Sequence, residues 1–217
     1  MSISENFEEV KKLIPPAVKL IAVSKTQPVE VIKQAFDVGQ RLFGENRVQE
    51  LVDKYEQLPK EIEWHLIGHL QKNKVKFIAP FISMIHSVDE VDLLKVIQKE
   101  AEKVKRVIPV LLQIHIAEEE TKYGFDFKEA EMFLSNFPDD FYSNIRITGL
   151  MGMASFTEDR AQVRNEFRGL KEFFKKMQEG PMKSNPDFKE LSMGMSGDFS
   201  IAIEEESTMV RIGRRLF

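Results

Sequence analysis

An apolar run ends on a cation in "KLIAVSKTQP", residues 19–28. An ammonium at the exit of a buried strand loses water and needs a partner or a function. Lys25 therefore has two readings. It caps the strand and snorkels to solvent. Or it sits in a low-dielectric mouth near other cations, where a depressed pKa frees its amine to attack a carbonyl and form a Schiff base. Arg211 poses a similar problem inside "TMVRIG". On a strand, Val210 and Ile212 face the other side, which turns the guanidinium inward, where it needs acceptors. An internal ion pair with a carboxylate such as Glu45 is the rival to a ligand-binding role.

Two glycine turns add anion chemistry. "LSMGMSGDFSIAI" (191–203) reads as strand, turn and short apolar helix. The N–H groups of Met195, Ser196 and Gly197 at that helix start suit an anion. Ser196 is equally well placed to cap its own helix, and Asp198 competes with a bound phosphate unless it faces away. A second turn, "VRIGRR" (210–215), follows the next strand. The four histidines, His65, His69, His86 and His115, give no metal pattern, since His65 and His69 flank a glycine turn and lack the intervening Glu of a zinc helix. Methionines 151, 153, 193 and 195 read as packing of an irregular interior.

These groups must be positioned by regular elements, and the chain offers an alternation. Eight β-branched or apolar runs read as strands: Lys19–Ser24, Arg41–Gly44, Glu63–Ile67, Met84–Val88, Ile108–Ile116, Ile147–Met153, Glu190–Met193 and Thr208–Ile212. Helical patterns lie between them. Pro28 suits a helix first turn, Ile32, Ala35 and Phe36 share a face, and Gly39 closes it. Ser87 with Glu90 forms a capping-box pattern before a stripe of Val91, Leu94, Ile97, Ala101 and Val104. Phe167, Leu170, Phe174 and Met177 recur at three- and four-residue steps within 158–177, and 177–190 reads as a loop. Eight strands alternating with helices predict an α/β fold, a single (β/α)8 barrel of the TIM type spanning 1–217. An open doubly wound sheet would need a phosphate fingerprint after the first strand, and "SKTQP" contains no glycine. In a barrel, Lys25, Glu45, Asn46, Gly68, His69, Ser87, His115, Met153, Ser192 to Ser196 and Arg211 to Gly213 all fall at the C-terminal mouth, where barrel active sites form.

Bulk properties set limits. The 217 residues are 42% hydrophobic and 30% charged, ordinary for a globular protein. A net charge of −4 argues against non-specific nucleic-acid binding. Cysteine is absent, which removes disulfides and thiolate chemistry and suits the reducing cytoplasm. The N-terminus lacks a signal-peptide pattern, and no apolar run reaches the ~18 residues of a membrane span.

Six stretches in order, "AVSKTQP", "FGENRVQE", "WHLIGHLQKNK", "GLMGMA", "LSMGMSGD" and "STMVRIGRRLF", resemble the YggS/PROSC family of pyridoxal-phosphate homeostasis proteins. That resemblance implies the barrel of fold type III pyridoxal-phosphate (PLP) proteins, similar to the barrel domain of alanine racemase, with no second domain. It implies that Lys25 holds PLP as a Schiff base and that Asn46 lies beside the ring. Ser196 and the backbone around Ile212 and Gly213 would hold the phosphate, with Ser192 a further candidate, and Arg211 would face the pyridine nitrogen. Arg214 stands where many relatives carry smaller residues, and no contact is assigned to it.

Three functions remain open. The first is a non-catalytic carrier, a cytoplasmic monomer that buffers PLP and passes it to apo-enzymes. The second is a PLP-dependent racemase, which needs an acid–base residue on each face of the substrate. Lys25 supplies one face, but Tyr55, Tyr123 and Tyr142 lie outside the matched motifs, and a chain ending at Phe217 leaves no room for a racemase's second domain. The third is a cofactor-free barrel enzyme acting on a phosphorylated substrate, with Lys25 as an aldolase-type base and Glu45 as the acid candidate. Lys122, in "EEETKYGFD" (118–126), is either a second amine near the mouth or a surface lysine.

Overall fold

The strands are short and buried on both faces. All residues of Met84–Val88 and Met209–Ile212 are buried, as are all but one of Ile108–Ile114 and of Ile145–Gly152. Continuous burial belongs to parallel sheets covered by helices, and it explains why these segments read as unbroken apolar runs. In a computed structural model that describes residues 2–119, 123–137 and 142–217, eight parallel strands close into a barrel in sequence order. They are β1 (Lys19–Val23), β2 (Leu42–Glu45), β3 (Glu63–Leu66), β4 (Met84–Val88), β5 (Ile108–Ile114), β6 (Ile145–Gly152), β7 (Glu190–Met195) and β8 (Met209–Ile212). The ladder between β8 and β1 sets Arg211 opposite Ile21 and Ile212 opposite Ala22, closing the ring.

Two apolar layers result. Ile21, Met84, Leu111, Met151 and Met209 fill the lumen, with Met153 and Leu42 packed against them. A larger layer, including Phe43, Trp64, Ile97 and Phe167, fills the space between strands and helices. Methionine suits the lumen because its unbranched thioether adapts to a tapering space.

The helices are α1 (Ile3–Lys12), α2 (Val29–Asp37), α3 (Val48–Gln57), α4 (Val75–Ile78), α5 (Val91–Lys103), α6 (Phe127–Ser135), α7 (Arg160–Glu179) and α8 (Phe199–Glu204). Pro28 caps α2 from an extended conformation, and Ile32 and Ala35 are buried beneath it. α7 begins at Arg160, two residues into the expected segment, because Asp159 accepts hydrogen bonds from the Ala161 and Gln162 amides. The capping box expected at Ser87 does not form. Ser87 is still inside β4, where its hydroxyl donates to the Gly68 carbonyl at 2.6 Å, and the helix cap is Glu90. Lys122 lies outside the described residues. Among the described residues, no helix is long and apolar enough to cross a membrane.

Candidate functional site

β1 delivers Lys25 to the mouth, but the lysine is exposed, not desolvated. The expectation of a cation stranded at a buried strand exit is corrected: the chain turns outward at Ser24, the last buried residue. No hydrogen bond or ion pair holds the Lys25 ammonium among the described residues. Its backbone, by contrast, is tied down on both sides. Lys54 of α3 donates to the Ser24 carbonyl at 2.8 Å, and the Ser24 hydroxyl donates to Glu45 Oε1 at 2.6 Å. The Thr26 amide donates to Glu50 Oε2 at 3.0 Å, which holds Thr26 at φ 64°. Few residues other than glycine adopt that left-handed conformation without support.

Glu45 is therefore no partner of Arg211. Gly44 occupies the lumen side of β2, against Ile21 and Ile67, so alternation sends Glu45 outward to Lys54, 2.8 Å away. Burial pushes the Glu45 carboxyl up, against the opposing hydrogen bonds from Lys54 and Ser24. This placement also removes Glu45 as the acid of a cofactor-free enzyme.

Arg211 does turn into the lumen, as alternation predicts, and is 3% exposed. Its Nη1 donates to Ser192 Oγ at 2.6 Å and its Nη2 to the Gly152 carbonyl at 3.0 Å. Burial pushes the guanidinium down to about 10, with Asp198 acting in the opposite sense, so it stays protonated at neutral pH. Ser192 is fully buried and its hydroxyl also meets His86 Nδ1 at 3.0 Å. With both neighbours engaged, it supports Arg211 from inside the lumen. His86 Nε2 meets His65 Nδ1 at 2.7 Å. Burial holds His65 down to about 3 and His86 well below the ordinary imidazole range, so both rings are neutral. No motif pairs these two residues, although His65 lies in one of the six stretches, because the contact joins neighbouring strands whose register brings distant positions together.

The two glycine turns meet at the end of β7 and β8. The Gly213 amide donates to Ser196 Oγ at 3.3 Å, which leaves the Ser196 hydroxyl proton for another acceptor. Gly194, at φ 94°, lets β7 bend there: a Cβ would fall 2.5 Å from that of Ala202. Asp198 turns its carboxylate back onto the Met195 amide, so that N–H is not available to an anion as expected. Burial pushes the Asp198 carboxyl up. Ile212 is fully buried and offers only its backbone, while Arg214 is exposed. Asn46 follows Glu45 at the mouth, and its Oδ1 is shielded from water with no hydrogen-bond partner among the described residues. Gly68 packs on the Asn46 backbone so closely that a Cβ would stand 2.4 Å from the Asn46 carbonyl oxygen.

The rim holds a further group. His69 Nδ1 lies 3.0 Å from Asp89 Oδ2, and its ring stacks on Tyr123 at 4.1 Å between centroids. Tyr123 thus stands at the mouth rim, where the sequence motifs gave it no place. His115 instead contacts the Glu119 carbonyl at 2.9 Å. Among the described residues, no three or more His, Asp or Glu side chains are grouped to hold a metal ion.

A family model described as alanine racemase, N-terminal domain, matches residues 1–217. A pyridoxal phosphate homeostasis protein from Aquifex aeolicus is 42% identical over 203 residues, covering 92% of this chain and 86% of that protein. The chain belongs to the pyridoxal phosphate homeostasis protein family. A family member from Pongo abelii is 37% identical over 100% of this chain and 83% of its own length. The structure of PipY from Synechococcus elongatus, solved without PLP, superposes with a TM-score of 0.91 at 33% identity over the whole of both chains. PipY with PLP bound gives 0.87. An alanine racemase from Clostridium difficile, at 14% identity and a TM-score of 0.75, shares the fold over 55% of its length. The fold of this homeostasis-family chain is thus the single barrel that alternation predicted.

Proposed function

We propose that this chain holds pyridoxal 5'-phosphate at the barrel mouth with Lys25 as its covalent attachment point, buffering and delivering it without amino-acid catalysis of its own. The observation that carries the reading is a free amine and a fixed cation delivered by adjacent strands. Lys25 has no partner among the described residues, while Arg211, on the adjacent strand β8, is locked by Ser192 and Gly152. PipY, similar over its whole length, is described with PLP bound, and the relatives carry the name of PLP homeostasis proteins.

The donor set fits the group. Asn46 Oδ1 awaits a partner, and the Ser196 hydroxyl beside Gly213 has a proton to give to a phosphate oxygen. The cofactor would supply an aldehyde, with which the Lys25 amine condenses with loss of water. A protonated guanidinium only donates, so Arg211 suits a pyridine nitrogen that carries no proton. A nitrogen held that way leaves the ring a weaker electron sink, which favours storage over carbanion chemistry. A cytoplasmic monomer that exchanges cofactor with apo-enzymes completes the proposal. The rim pair of His69 and Asp89 beside Tyr123 is the observation that favours an enzyme instead, since it places an acid–base group near the mouth.

Reduction with borohydride after loading with PLP tests the assignment. The label is expected on the peptide containing Lys25, and Lys25→Ala should abolish it. Labelling of Lys54, Lys122 or another lysine in place of Lys25 overturns the reading.

A further inference from the structure

The lumen beneath the mouth should be apolar in a barrel whose core is packed with methionine and leucine. It instead carries a line of four polar side chains, one from each of β3, β4, β7 and β8. His65 meets His86 at 2.7 Å, His86 meets Ser192 at 3.0 Å, and Ser192 meets Arg211 at 2.6 Å. All four are at most 3% exposed. Burying such a line is costly unless every member is paired, so its persistence calls for a role.

Chemistry fixes the direction of the line. Arg211 has no lone pair and can only donate to Ser192. The Ser192 hydroxyl proton then needs an acceptor, and among the described residues the one within reach is His86 Nδ1. A neutral imidazole that accepts at Nδ1 carries its proton at Nε2, so His86 donates to His65 Nδ1. Donation therefore runs one way, from the guanidinium to Ser192, His86 and His65. Any reversal leaves a buried hydroxyl proton unpaired.

We propose that His86, backed by His65, is the positioning residue for Arg211: by accepting the Ser192 proton it turns a Ser192 lone pair onto Nη1 and fixes which edge of the guanidinium is presented to the cofactor ring. This rests on the PLP reading above for its ligand, but the tautomers belong to the protein alone. The Gly152 carbonyl holds the second Arg211 nitrogen, so the plane of the guanidinium is set by two acceptors on different strands. Neither histidine contacts solvent freely, and both rings stay neutral because burial opposes their charging, aided by Arg211 near His86 and by Lys19 near His65.

Nitrogen NMR of the imidazoles and cofactor binding test the proposal together. In the protein without cofactor, His86 is expected to be unprotonated at Nδ1 and protonated at Nε2. In Ser192→Ala that fixed tautomer should be lost. His86→Leu should weaken PLP binding about tenfold, as for a lost hydrogen bond at a charged group, and shift the absorption band of the bound cofactor. His86→Gln, whose amide can accept from Ser192 and donate to His65, should restore both. In an Arg211→Lys background the His86→Leu effect should largely vanish, which a merely structural loss of packing would not do. A proton on His86 Nδ1 in the wild type overturns the proposal. So does a folded His86→Leu or Ser192→Ala protein with wild-type affinity and band. Should His86→Leu fail to fold, Ser192→Ala and the wild-type tautomer decide. Failure of the wild type to take up PLP overturns the functional reading instead, and the NMR result still stands or falls by itself.

Discussion

Lys54 Nζ stands 2.8 Å from the Ser24 carbonyl oxygen and 2.8 Å from Glu45 Oε1, bridging the strand that delivers Lys25 to the helix behind it. The ammonium is 8% exposed and the carboxylate not at all. Removing one partner of such a pair strands the other in low dielectric. Lys54→Met is expected to lower stability by about 3–5 kcal/mol, measured by urea unfolding. Lys54→Met with Glu45→Gln should recover much of that loss, since the buried charge goes too. A single substitution as mild as the double one would show that the pair contributes little.

The paired turns predict that the phosphate matters. Pyridoxal without its phosphate should bind far more weakly than PLP in a fluorescence titration. Ser196→Ala should weaken PLP binding by roughly 1.5–3 kcal/mol, the range for a hydrogen bond to a charged group. Equal affinity for the two vitamers would place the phosphate elsewhere.

Carrier and enzyme separate on turnover. Common amino acids incubated with the loaded protein should show no racemisation, transamination or decarboxylation above the rate with free PLP. An apo form of a PLP enzyme mixed with the loaded protein should regain activity. Turnover that disappears in both Lys25→Ala and His69→Ala would establish catalysis and assign the rim histidine to it.

Acid should unfold the protein partly through His65. Its imidazole titrates at 6.5 in the unfolded chain and at about 3 in the fold. Between those values the unfolded state binds more protons, so stability falls as pH drops from 6.5 toward 3. Glu45 and Asp198, whose carboxyls are pushed up, act oppositely and lose stability as pH rises through their folded values. His65→Gln should flatten the acid limb of a plot of unfolding free energy against pH. An unchanged slope would mean that His65 is already protonated in the fold.

The barrel was legible because parallel strands buried on both faces leave continuous apolar runs, and all eight strands fall within two residues of their expected ends. Arg211 was legible from alternation alone. Glu45 was misplaced because its neighbour Gly44 has no side chain to mark which face of β2 lines the lumen. Lys54 was invisible, since a lysine on a helix with charged neighbours reads as solvated until the strand behind it is known. The His65–His86 contact depends on register between β3 and β4, which offsets His65 opposite Met84, and no single-strand pattern encodes it. Ser87 misled for a related reason: a hydroxyl three residues before a Glu caps a helix only if the strand has already ended.

Ile21 lies opposite Arg211 across the seam between β1 and β8, so the mouth is assembled from segments far apart in the chain. During synthesis Lys25 is made before the turns at Ser196 and Gly213 and the guanidinium of Arg211. Contacts between such distant segments form late in folding because a long loop must first be closed. If Lys25 takes up the cofactor as proposed, its capture is expected to follow the docking of β8. In a refolding experiment, the colour of the bound vitamer would serve as a clock for the moment the ring shuts.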